Sequence, residues 1–159
     1  MKQYLLGIDI GTSACKIAIF DGDGRVIASG NGDYPVYYPQ AGWAEQNPEE
    51  WWSAVCRAVR ETLEKGKVNP GEIAGIGIDG QSWSAIAIDQ EGKVLTNTPI
   101  WMDTRAQSIC DRLNQKVGAD KIFKISGNSL QPSYSTAKII WYRENKPEVY
   151  EKIYKILQS

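Results

Sequence analysis

The sequence predicts an α/β fold in which a sheet of mixed strand direction is flanked by helices. The first thirty residues hold three short apolar runs separated by polar turns, a pattern typical of an antiparallel meander. A well-delimited amphipathic helix follows near residue 48. The apolar run after it, at 73–78, indicates a strand parallel to the first, because a crossover through a helix returns the chain in the same direction.

The opening meander is defined by its turns. Strands are predicted at residues 4–10, 16–20 and 25–29. The tripeptide at 11–13 joins the first two, and the segment 21–24 joins the second and third, where Gly and Asp tolerate the positive φ of a hairpin turn. The aromatic-rich segment 30–47 predicts a loop that packs against the protein or lines a cleft.

The first helix has recognisable start and stop signals. Asn47 is a good N-cap, Pro48 suits the first turn, Glu50 completes a capping box and Gly66 ends the helix. Its apolar positions recur with helical spacing and predict one buried stripe: Trp52, Val55, Cys56, Val59 and Leu63.

The remaining segments continue the alternation of strands and helices. The run at 73–78 predicts a buried strand, and 85–88 with 93–95 predict a hairpin around the turn 89–92. Helices are predicted at 104–117 and 135–145, and a strand begins near 153–157. No internal repeat or low-complexity linker is present, which fits one domain or a piece of a larger one.

Composition excludes several classes of function. The 159 residues contain no histidine, which excludes Ser-His-Asp and Cys-His nucleophiles and histidine-ligated zinc within this chain. A net charge of −1 gives no electrostatic case for nucleic acid or an anionic membrane surface. Cys15, Cys56 and Cys110 are far apart, which predicts reduced thiols in a cytoplasmic protein. No apolar run approaches the roughly 18 residues of a membrane span, and Asp9 interrupts the N-terminal run, so neither a membrane protein nor secretion is expected.

The turn after the first strand is the first candidate site. Asp9 lies at the strand end, Gly11, Thr12 and Ser13 form the turn, and Lys16 follows on the next strand. A carboxylate at a strand end can hold hydrated Mg²⁺, and such a turn exposes N–H groups and hydroxyls that bind phosphate oxygens. The alternative is an ordinary polar β-turn.

The polar segment after the strand at 73–78 is the second candidate. Gln81 and Ser82 offer hydrogen bonds that match hydroxyls, and Trp83 offers a flat apolar face. Open α/β sheets bind ligands at the carboxyl ends of their strands. The alternative is a polar loop that carries a core tryptophan.

The third candidate is the segment 101–105. Asp103 can accept hydrogen bonds from vicinal hydroxyls, with Trp101 on the apolar face of a polyol and Arg105 fixing the carboxylate. The alternative makes Asp103 the N-cap of the next helix, Trp101 a core residue and Arg105 a solvated one. The two interpretations are compatible.

Five blocks, in order and with their spacing, resemble the FGGY family of carbohydrate kinases. They cover nearly the whole chain and lie at 7–13, 42–52, 76–81, 101–105 and 127–141. That family shares the actin-like, ribonuclease-H-type ATPase fold. Within it, the sequence is most similar to the xylulose kinases and less to the gluconate and glycerol kinases.

The resemblance implies an enzyme that uses ATP and Mg²⁺ to phosphorylate a hydroxyl of a ketose, D-xylulose first. It implies that Asp9 lies near the metal and the phosphates, with the turn at 11–13 on the phosphates. It also implies that the sugar is contacted by Gln81, Ser82, Trp83, Trp101 and Asp103. Xylulose kinases usually carry Met-His where this chain has Ser82-Trp83, so the sugar contact differs there.

The resemblance places the family's catalytic Asp base and adenosine motif beyond residue 159. Residues 1–159 are therefore interpreted as most of the N-terminal lobe, lacking the second lobe, with no catalytic residue of their own and inactive alone. The expected partners are a small sugar and ATP, with monomer and homodimer both left open. The alternatives are a gluconate, glycerol or other polyol kinase, a non-sugar protein of the actin-like ATPase fold, or a stand-alone binding module.

Overall fold

The computed structural model describes residues 3–159. In these residues the strands β1–β8 are Tyr4–Ile10, Ala14–Phe20, Val26–Asp33, Glu45–Gln46, Ile73–Gly80, Ile86–Ile88, Thr98–Pro99 and Lys155–Leu157. The helices α1–α5 are Pro48–Gly66, Gln107–Val117, Ala119–Ser126, Ser135–Asn145 and Pro147–Tyr150. The chain forms two compact units. The first comprises the described residues up to Val36 together with Pro48–Gln81, and the second comprises Tyr37–Asn47 together with Ser82–Ser159.

The first unit is built on a four-stranded sheet in the order β3-β2-β1-β5. β1 pairs antiparallel with β2, and β2 with β3, as the turn signals predict. β1 pairs in parallel with β5, so that Asp9 faces Asp79 across the pair. The mixed α/β class and the crossover through α1 are therefore confirmed.

α1 packs on β2 and β3 through small side chains. A Cβ on Gly32 of β3 would lie 2.8 Å from the carbonyl oxygen of Ala54, so the helix approaches the sheet closely at this glycine. The buried face of α1 comprises Trp51, Ala54, Val55, Ala58 and Thr62. The predicted stripe is confirmed at Val55, and Cys56, Val59 and Leu63 are half-buried, but it is wrong at Trp52, which is 67% exposed while Trp51 is only 4% exposed. Opposite the glycines of β3 the helix presents the small side chains of Ala54 and Thr62.

β5 was predicted as a buried strand, and this prediction is wrong. β5 is an edge strand that pairs only with β1 in the described sheet. Its side chains Ile76 and Ile78 are exposed to solvent.

The second unit surrounds an apolar core with helices and two short strand pairs, β4-β7 and β6-β8. Its core residues are Ala85, Ala87, Ala106, Ile109, Cys110, Ala137, Trp141 and Tyr142. The Tyr142 hydroxyl donates to the carbonyl oxygen of Ala85 at 3.1 Å, which ties α4 to the start of β6.

The predicted elements of this unit hold in part. α4 spans the predicted residues, whereas α2 begins at Gln107 rather than 104, and α3 was not predicted. The predicted hairpin is reduced to a single bridge between Ile88 and Val94. Among residues 3–159, no helix combines the length and the apolar character that a membrane crossing requires.

Candidate functional site

The β1–β2 turn (Gly11, Thr12 and Ser13) lies at the carboxyl end of β1. The Gly11 N–H donates to the Ala14 carbonyl at 3.1 Å and closes the turn. A Cβ on Gly11 would lie 3.0 Å from that same oxygen, so the tight closure favours glycine. Ser13 is exposed, and Gly11 and Thr12 are half-buried. The turn is therefore accessible at the edge where open α/β sheets bind ligands.

Tyr34 and Gln81 support the β1–β2 turn through hydrogen bonds to its main chain. The Tyr34 hydroxyl donates to the Gly11 carbonyl at 2.6 Å, and the Gln81 side-chain amide donates to the same oxygen at 3.4 Å. The Gln81 main-chain N–H donates to the Ile10 carbonyl at 2.9 Å. Burial raises the pKa of the Tyr34 hydroxyl well above its usual value, so the group stays protonated and remains a donor.

Sequence reasoning missed Tyr34. It lies 23 residues from its acceptor Gly11, and the available signal was the aromatic-rich segment that begins near it. Its ring is buried and lies 6.4 Å from the ring of Trp51. Tyr34 therefore links the core under α1 to the β1–β2 turn.

Asp9 and Asp79 lie side by side at the ends of β1 and β5. Neighbouring strands are about 4.8 Å apart, so their carboxylates can share one ligand. Asp9 also accepts from the Lys16 ammonium at 3.0 Å in an exposed ion pair. Mg²⁺ is commonly bound through one or two carboxylates and several waters, and these residues fit that donor set. The described residues hold no group of three or more metal-ligating side chains, so water or phosphate would complete the coordination.

The predicted site residues divide between the two units. The first unit brings together Asp9, Gly11, Thr12, Ser13, Lys16 and Gln81. Gln81, which was predicted to contact a sugar, is bonded to the β1–β2 turn. The other predicted sugar contacts belong to the second unit: Ser82, Trp83, Trp101 and Asp103.

Trp83 forms one wall of a cavity of about 520 Å³ in the second unit. Its ring lies 4.8 Å from that of Tyr134, which sequence reasoning did not single out. The other walls combine apolar and hydroxyl side chains, among them Leu113, Val117, Ile122, Ser126, Ser135 and Thr136. Trp83 is 44% exposed, so the alternative of a core tryptophan is wrong. Of the predicted sugar contacts only Trp83 lines this cavity, and Ser82, Trp101 and Asp103 do not.

Asp103 is fully buried beneath Arg105. Its carboxylate accepts from Arg105 Nε and Nη2 at 2.9 and 2.7 Å and from the Ala44 N–H at 2.7 Å. Arg105 also pairs with Glu45 at 2.8 Å, and its guanidinium lies 3.7 Å from the centre of the Trp43 ring. The interpretation that Arg105 fixes the carboxylate is confirmed, and the N-cap interpretation is wrong because α2 begins at Gln107. The contact of Asp103 with a sugar stays a prediction.

Trp101 precedes this ion-pair cluster and is 43% exposed, so the core interpretation of its indole is also wrong. Lys138 of α4 is buried, and its ammonium donates to the carbonyls of Trp83 and Ile100 at 2.7 Å each. Burial lowers its pKa to about 8. Sequence reasoning missed this lysine because a helical lysine is normally solvated.

Comparison with known proteins identifies one family. The model of the N-terminal domain of the FGGY family of carbohydrate kinases matches residues 4–159. A glycerol kinase from Thermococcus gammatolerans is 36% identical over 152 residues, which cover 96% of this chain and 31% of that protein. A xylulose kinase from Bacillus subtilis is 35% identical over 150 residues, covering 94% and 30%. The chain thus spans about a third of the length of the curated relatives it matches.

Solved structures of carbohydrate kinases are also similar to this chain. A gluconate kinase from Lactobacillus acidophilus superposes with a TM-score of 0.91 at 29% identity, covering 99% of this chain and 31% of that one. A xylulose kinase from the same organism superposes with a TM-score of 0.89 at 29% identity, covering 97% and 31%.

Proposed function

This chain belongs to the FGGY family of carbohydrate kinases, and we propose that it forms the N-terminal part of a kinase that phosphorylates D-xylulose. The reaction transfers the γ-phosphoryl group of ATP to a sugar hydroxyl. The observation that carries the proposal is the β1–β2 turn, held by Tyr34 and Gln81 beside the paired carboxylates of Asp9 and Asp79. This arrangement offers phosphate-binding and metal-binding groups at one sheet edge.

Different residues of the first unit bind the phosphates of ATP and the metal ion. The main chain and hydroxyls of the β1–β2 turn bind phosphate oxygens, and Asp9 and Asp79 orient the metal. Magnesium, when bound, neutralises charge on the phosphates. Lys16 is available to a phosphate oxygen as well, because its exposed pair with Asp9 contributes at most about 1 kcal/mol. The Asp that accepts the hydroxyl proton lies, in this proposal, outside residues 1–159.

The acceptor is contacted by aromatic and polar groups of the second unit, at residues 82–83 and 101. Trp83 and Trp101 present exposed indoles to the apolar face of a sugar, and Ser82 supplies a polar contact, whereas the Asp103 carboxylate is buried and bound by Arg105 and the Ala44 N–H. Similarity to the Bacillus subtilis xylulose kinase supports D-xylulose.

Glycerol is the second candidate acceptor. Ser82-Trp83 stands where xylulose kinases usually carry Met-His, and the Thermococcus gammatolerans glycerol kinase is equally similar to this chain. Gluconate is a third candidate, from the Lactobacillus acidophilus structure.

We further propose a cytoplasmic location. Cys15, Cys56 and Cys110 are free thiols in the structure, which fits a reducing compartment. Burial raises the pKa of Cys15 and Cys110, so neither is an activated thiolate.

The test is an ATP-consumption assay on the complete polypeptide that carries this chain, with D-xylulose, glycerol, D-gluconate and D-ribulose offered separately. Preference for D-xylulose supports the proposal. Preference for another acceptor supports the kinase activity but contradicts D-xylulose as the substrate. Asp9→Asn is expected to lower turnover at least tenfold, whereas the matched control Asp23→Asn, on an exposed hairpin turn, leaves it unchanged. Folded protein that binds ATP and phosphorylates none of these acceptors would contradict the proposal.

A further inference from the structure

Lys138 is buried without a carboxylate partner. Its side chain belongs to α4 in the core of the second unit, and no carboxylate within residues 3–159 lies within ion-pair distance of the ammonium. The ammonium instead donates to two main-chain carbonyls, those of Trp83 and Ile100, at 2.7 Å each. The charged groups that face it are Asp103, which favours its protonated form, and Arg105, which opposes it.

Burying an ammonium carries a large desolvation penalty, and a methionine of similar length would fill the same space without that penalty. Short charge-assisted hydrogen bonds offset part of it. The two acceptors are 17 residues apart in sequence and come from separate segments of the unit. Lys138 therefore links these two main-chain segments through the hydrogen bonds of its ammonium group.

Each joined segment carries an exposed indole. Trp83 has φ of +66°, a left-handed conformation that a bulky residue adopts only when its surroundings enforce it. Its own carbonyl is one of the two oxygens that Lys138 holds. Ile100, which supplies the other, directly precedes Trp101.

We propose that Lys138 is a positioning residue for the acceptor: it fixes the main chain at Trp83 and Ile100 and thereby sets the placement of the Trp83 and Trp101 indoles. This inference rests on the proposed function, because it takes these indoles as the surfaces that meet the polyol. It adds a residue that does not touch the substrate, and it attributes to it control of acceptor binding rather than of ATP binding.

The experiment compares Lys138→Met and Lys138→Gln with Tyr142→Phe in the complete polypeptide. Tyr142→Phe is the matched control, since it removes one bond from the same helix to the Ala85 carbonyl. We expect the Lys138 variants to raise the acceptor KM roughly tenfold or more, with the ATP KM within twofold of wild type. The control is expected to lower the melting temperature without changing the acceptor KM. Equal changes in both KM values, or an unchanged acceptor KM in a folded Lys138 variant, would overturn the inference.

Amide hydrogen exchange provides a readout independent of turnover. Peptides that cover 82–85 and 99–103 are expected to exchange at least tenfold faster in a Lys138 variant, with β1 unaffected. Unchanged exchange in these peptides overturns the inference even if the wild type phosphorylates none of the acceptors. If Lys138→Met fails to fold, Lys138→Gln, which keeps an N–H donor, is measured in its place. Absence of turnover in the wild type with the expected exchange contradicts only the proposed function.

Discussion

Replacing Arg105 with methionine is expected to destabilise the protein far more than the same replacement at Arg112. The Arg105 side chain is 1% exposed and pairs with Asp103 at 2.7 Å and with Glu45 at 2.8 Å. Its removal leaves two buried carboxylates, and breaking a buried ion pair in this way costs about 3–5 kcal/mol. The lost contact with the Trp43 ring adds about 1 kcal/mol. A total loss of roughly 4 kcal/mol or more is therefore expected.

Arg112 supplies the matched control. It also binds a carboxylate through two short contacts, at 2.7 and 2.8 Å to Glu144. Its side chain is 54% exposed, and exposed ion pairs contribute about 0–1 kcal/mol. The free energy of unfolding is measured by urea titration, followed by tryptophan fluorescence, for both variants in the complete polypeptide.

Losses within 1 kcal/mol of each other for the two variants would refute the reasoning. Adding Asp103→Asn and Glu45→Gln to Arg105→Met separates the causes of the loss. Substantial recovery in this triple variant assigns the loss to unpaired carboxylates. Absence of recovery assigns it to packing of the guanidinium against Trp43.

Three further outcomes are expected. Burial lowers the pKa of Lys138 in the folded protein to about 8, so above that pH the unfolded chain binds more protons than the folded protein does. The unfavourable contribution of Lys138 to the free energy of unfolding therefore shrinks as the pH rises. The wild type should therefore gain about 2 kcal/mol of unfolding free energy over Lys138→Met between pH 7 and 9.5, and a constant difference in urea titrations would contradict this. Tyr34→Phe should raise the ATP KM roughly fivefold through loss of about 1 kcal/mol of support to the β1–β2 turn. The exposed Tyr38→Phe serves as its control in the same kinetic assay, and equal effects would discount the turn contact. Converting Ser82-Trp83 to Met-His should increase kcat/KM for D-xylulose relative to glycerol, and an unchanged ratio would remove this pair from acceptor selection.

The sequence predicts the local elements of the fold better than their packing. Turn signals locate the β1–β3 meander, and α4 is found from its own residues because both depend on short-range preferences. The phase of α1 depends on β3, where glycine leaves room only for small residues such as Ala54, and the spacing of Trp52 carries no information about that. No residue of α3 is buried in the described part of the chain. A helix of this kind is not revealed by a stripe of apolar residues that faces a core.

The candidate site shows the same division. Asp9 and the β1–β2 turn are contiguous in sequence and were predicted together. Tyr34 and Lys138 bind main-chain carbonyls 23 and 38 or more residues away, and carbonyls have no residue type that a sequence pattern could reveal. Such supports are found only when the fold brings donor and acceptor together.

The discontinuous make-up of the two units has a consequence for synthesis on the ribosome. The first unit has all its strands once residue 81 has left the exit tunnel, so it can fold before residues 82–159 have emerged. The segment Tyr37–Asn47 emerges early but belongs to the second unit. The acceptor of the Ala44 N–H is Asp103, which lies 59 residues later in the sequence and emerges after it. During that interval the Trp43 side chain lacks the Arg105 and Trp141 groups that later enclose it. While residue 81 but not yet residue 103 has left the tunnel, the nascent chain would therefore expose this aromatic segment although the first unit already has all its strands.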